Sequence, residues 1–111
     1  MTTLLPQDSN DHPIPALRLK SGGAHNITVG ATSTRNSTGF DSETQIISLY
    51  SDVAVYLAFG DSSVTATTSD HYFPAGIYYD VSIGGDHSAH YTHVAALQVS
   101  GGGTLYISEK E

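Results

Sequence analysis

Along most of the chain, apolar and polar residues alternate in short runs, the pattern of strands with one buried and one wet face. The first run is "ALRLK" at 16–20, where Leu17 and Leu19 face one way while Arg18 and Lys20 face the other. "HNITVGATS" at 25–33, "TQIISLYS" at 44–51 and "VAVYLAFG" at 53–60 follow, each rich in β-branched or aromatic residues and bounded by Gly, Asp, Asn or Ser. Asp52, between the last two, marks a bulge or tight connection. A weaker run, "SVTATT" at 63–68, comes after the "GDSS" turn, and "HYF" leads into the Pro/Gly turn "PAG" at 74–76. "IYYDVSIG" at 77–84, "YTHVAALQVS" at 91–100 and "TLYISE" at 104–109 complete a set of about eight strands. Apolar residues never recur at i, i+3, i+4 and i+7 over a useful length, so no long helix is predicted.

Strands without helices bury their apolar faces against one another. The predicted fold class is therefore all-β: a single antiparallel β-sandwich, jelly-roll-like, of about eight strands. Val53, Val55, Leu57 and Phe59 are expected on one face of their strand, and Ile77, Tyr79, Val81 and Ile83 on one face of a later one. Val94, Ala96, Leu105 and Ile107 are expected to join the core. Residues 1–14 carry Pro6 and Pro13 and little to bury, which predicts an extended N-terminal arm ahead of a sandwich domain at 15–111.

Composition narrows the function classes. A chain of 111 residues suits one core and one domain. Its net charge is −7, and no Lys or Arg occurs between Asn36 and Glu109. Phosphate backbones need cationic partners, so no nucleic-acid role is expected. The absence of cysteine removes disulfides, zinc–thiolate sites and thiol chemistry. The N-terminus lacks the basic and apolar regions of a signal peptide, and no apolar run approaches the ~20 residues that span a bilayer. A product made in the cytoplasm, with no membrane role, is expected.

The most conspicuous candidate chemistry is "GGDHSAHYTH" at 84–93, with His87, His90 and His93 spaced three apart behind Asp86. Imidazoles are common metal ligands, but on a strand residues i and i+3 point to opposite faces, and the flanking glycines argue against a helix that would bring them together. The sequence also lacks the H-x-H and following Glu of metal-binding jelly rolls, having no Glu between Glu43 and Glu109. No metal, cofactor or catalytic residue is therefore assigned. There is no "GxSxG" elbow, and "SGGAH" and "SGGGT" read as turns rather than phosphate loops. The segment reads as a loop tip from Gly84 to His90, with His87 and His90 exposed and His93 in the next strand. Asp86, His87, His90 and Tyr91 form the candidate interface or binding loop. Tyr72, Tyr78, Tyr79 and Tyr91 are candidates to face a sugar or a protein neighbour, although cross-strand packing is the better account of them.

From Tyr50 onward the pieces "FGDSSVTATTSD", an aromatic followed by "PAG", a variable loop, "VAALQVS" and a closing "GTLYISE" resemble small β-sandwich virion proteins of tailed bacteriophages and phage-like particles. The likeness covers the last 60 or so residues and none of its motifs is catalytic. It implies a non-enzymatic virion structural protein on the capsid surface, a decoration (cement) or minor capsid subunit. The implied partners are the major capsid protein or other virion proteins, and copies of the chain itself, with a trimer favoured. The alternative is a head-spike base or tail-associated module recognising a host surface glycan.

Overall fold

The computed structural model describes residues 7, 9, 10, 12, 17–85 and 88–111. The fold is all-β, with no helix among the described residues. Its strands are β1 (Leu19–Val29), β2 (Thr34–Arg35), β3 (Ile46–Ser51), β4 (Val55–Gly60), β5 (His71–Phe73), β6 (Tyr78–Ser82), β7 (His93–Gln98) and β8 (Gly103–Lys110). They form two antiparallel sheets of four strands, ordered β1-β8-β3-β6 and β2-β7-β4-β5. Most of the expected arm at residues 1–14 lies outside the described residues.

Eight strands appear, but not the eight the alternation suggests. The runs at 16–20 and 25–33 are parts of one strand. A bulge between Leu19 and Ala24 lets β1 stay paired with β8, and Gly22, at φ 75°, supplies the left-handed backbone there. The run at 63–68 is not a strand. Asp61 Oδ1 accepts from the Ser63 N–H and hydroxyl, and Asp70 Oδ2 accepts from the Thr67 N–H and hydroxyl. These local side-chain bonds, with the Ser33 hydroxyl accepting the Ala66 N–H, satisfy backbone groups that a ladder would otherwise use. In its place stand two short strands, β2 and β5.

One core joins both sheets. Ile27, Val29, Ile47, Leu49, Leu105 and Ile107 come from the first, and Val55, Leu57, Phe73, Val94 and Ala96 from the second, with Phe40 and Ile83 from connecting segments. Val53, Phe59 and Val81 pack against it partly buried. The expected inward positions hold except at Ile77, which is 46% exposed, while Tyr79 keeps the inward phase opposite Leu49 but stays 57% exposed. Ile77 precedes the strand, and β6 is a sheet edge with no strand beyond it among the described residues. Asp52 ties the β3–β4 passage from one sheet to the other, its N–H donating to Thr104 O and its Oδ1 accepting the Thr104 N–H.

Candidate functional site

The glycine-led loop is held at its base. Gly84 and Gly85 adopt φ of 90° and 145°, and Gly85 and Ser88 exchange backbone hydrogen bonds of 3.3 and 3.1 Å. A Cβ at Gly84 would collide with the Ala89 carbonyl, so this position admits only glycine. Asp86 and His87 lie outside the described residues.

His90, expected exposed, is half-buried instead. Its Nε2 donates to the Thr44 carbonyl at 2.6 Å, so the neighbouring 41–45 segment captures the ring. Tyr91 turns the other way, its N–H donating to Ile83 O and its ring stacking against Phe59 at 6.0 Å. His93 opens β7, with Nδ1 2.8 Å from the Thr92 hydroxyl. His90 and His93 therefore address separate partners. Among the described residues, no three His, Asp or Glu side chains are grouped to hold a metal ion.

Thr44 links this loop to a polar cluster inside the molecule. Its hydroxyl donates to Glu109 Oε1 at 2.6 Å, and the Asp41 N–H donates to the same oxygen at 2.9 Å. His25 Nε2 donates to Oε2 at 2.7 Å, and Phe40 sets its ring edge-on to His25 at 5.1 Å. Glu109 is only 4% exposed. Burial pushes its carboxyl up, but the hydrogen bonds from His25, Thr44 and Asp41 outweigh that and hold it below its ordinary value. Gly23 makes room for it, since a Cβ there would stand 2.9 Å from Glu109 Cβ. The cluster is sealed, so it fastens β1, β8 and the 40–45 segment together rather than meeting a ligand.

Two tyrosine surfaces do face solvent. On the outer side of the first sheet, Tyr50 is paired with Tyr106 of β8 and with Tyr78 of β6, so three rings lie in a row across three strands. Tyr50 and Tyr106 approach to 6.4 Å between ring centres. Lys110 lies over the Tyr78 ring at 5.0 Å with its Nζ 2.9 Å from Asp80, and these two contacts hold its ammonium above its ordinary range.

The second surface is a cleft of about 550 Å³ where the sheets part between edge strands β5 and β6. Leu49, Leu57, Phe59, Phe73 and Val81 line its depth, Tyr79 and Tyr91 flank it, and Asp70 and His71 stand on its β5 side. Tyr79 points inward because it pairs with buried Leu49. Of the described candidate loop residues, Tyr91 reaches the cleft and His90 does not. Asp70 and His71 were not singled out by the sequence, where Asp70 reads as a turn residue and His71 only opens the "HYF" run. Tyr50 and Tyr106 were legible as outward positions, each lying out of phase with the apolar residues beside it.

Comparisons with protein-family models, with curated proteins and with solved structures return no match to this chain. The functional reading therefore rests on these surfaces and on the sequence motifs.

Proposed function

We propose that the chain is a non-enzymatic bacteriophage virion structural protein, a capsid decoration (cement) or minor capsid subunit that docks on the head as a homotrimer and stabilises it. The observation that carries this reading is the outward row of Tyr106, Tyr50 and Tyr78. A solvated sheet face needs no large rings, whereas protein interfaces favour tyrosine, which combines broad apolar area with a hydroxyl that pairs in either environment. The sequence likeness over the second half of the chain supports the virion setting.

The strand order supports a jelly-roll sandwich as the scaffold. The chain changes sheet at every step except the β4–β5 hairpin, the winding of two interlocked Greek keys. Such a body offers broad sheet faces to a lattice, where many weak contacts add through multivalency.

The test mixes purified protein with heads assembled from the major capsid protein encoded beside it. Copelleting with heads, a trimer in sedimentation velocity, and loss of copelleting in Tyr50→Ala/Tyr106→Ala are expected. A monodisperse monomer with no affinity for heads, or the absence of any capsid gene nearby, overturns the reading.

A further inference from the structure

We propose that the cleft between β5 and β6 is a binding site for a neutral saccharide. This goes beyond head docking and does not depend on it, because the cleft opens at the sheet edges rather than on the tyrosine-bearing outer face. Its depth is apolar, with Leu57, Phe73 and Val81 below and Tyr79 and Tyr91 flanking the opening. The C–H face of a pyranose ring is weakly polar and lies well on such aromatic surface.

The Tyr91 ring is already held against Phe59, tilted by 33°, so ordering it on binding costs little. The carboxylate and the imidazole, Asp70 and His71, both stand on the β5 side, where they can meet ring hydroxyls. Asp70 is fixed by Thr67, whose N–H and hydroxyl donate to Oδ2 at 2.7 and 3.1 Å. A carboxylate offers roughly four acceptor positions, so acceptor capacity remains for sugar hydroxyls, with the His71 ring beside it.

Charge selects among sugars. No Lys or Arg lines the cleft, Asp70 does, and the chain carries −7 overall. An acidic sugar or a phosphate is repelled from such a field, whereas an uncharged hexose is not. The volume of about 550 Å³ falls within the range of small-molecule sites and accommodates one or two rings.

The experiment titrates the isotope-labelled full chain with N-acetylglucosamine and with glucose, using N-acetylneuraminic acid as the anionic comparison, and follows backbone amide signals. Expected are millimolar shifts with the neutral sugars, confined to the segments around residues 70–73, 79–82 and 91. Tyr79→Ala and Tyr91→Ala should each weaken binding by about tenfold, while Val99→Ala, outside the cleft, leaves it unchanged. Should an alanine variant fail to fold, Asp70→Asn carries the test, with a loss in the same direction. Silence with both neutral sugars at about 100 mM, shifts scattered away from the cleft, or preference for the anionic sugar overturns the proposal.

Discussion

Glu109 lies next to the end of β8, whose other inward positions, Leu105 and Ile107, are apolar, and it takes the same inward direction. Its period-2 phase with those residues was visible in "TLYISE"; its three donors were not, because they come from β1 and from the 41–44 segment. Glu109→Ala leaves the His25 ring, the Thr44 hydroxyl and the Asp41 N–H without their acceptor, a loss of roughly 3–5 kcal/mol in urea unfolding. Glu109→Gln keeps one acceptor oxygen and loses less. The pH dependence has a definite sign: the folded carboxyl titrates below its ordinary value of 4.5. Its stabilising contribution is complete above that value and disappears as pH falls through the lower, folded one. Unfolding midpoints measured from neutral to acid pH should therefore drop for the parent chain, with that component missing in Glu109→Gln.

At the scale of elements, alternation located the long strands because each has one buried and one wet face. It failed where local hydrogen bonding decided the outcome. "SVTATT" has strand composition, yet Asp61 and Asp70 occupy its neighbouring backbone groups. "LKSGGAH" reads as a break, yet a glycine bulge carries β1 through it. The tyrosine row shows the same division, since parity marks Tyr50 and Tyr106 as outward while only the register of β3 against β8 and β6 makes them neighbours. Turn glycines obey equally local rules. In "SGGGT", a Cβ at Gly103 would crowd Asp52 Oδ1 and stand 2.7 Å from a Val53 methyl, whereas one at Gly101 meets nothing within 4 Å. Gly103→Ala should destabilise by about 1–3 kcal/mol, and Gly101→Ala should stay within about 0.5 kcal/mol of the parent in thermal unfolding.

On the scale of the whole molecule, among the described residues every strand begins at or after Leu19 and no core residue precedes Ile27. Backbone bonds of 3.2 and 2.9 Å between Arg18 and Glu111 close the sheet where β1 meets β8. If the segment ahead of Arg18 serves the virion, its contribution lies in contact with a neighbour, which chain alternation has no means of encoding. Deleting residues 2–14 should then leave the melting temperature within a few degrees of the parent, since that segment is mostly polar in sequence. Head binding should weaken by about tenfold or more, because removing one of several linked contacts lowers avidity out of proportion to its own strength. Melting curves and copelleting on the same two proteins separate these effects. Equal loss of folding and docking contradicts the arm's role, and unchanged docking assigns the interface to the tyrosine face alone.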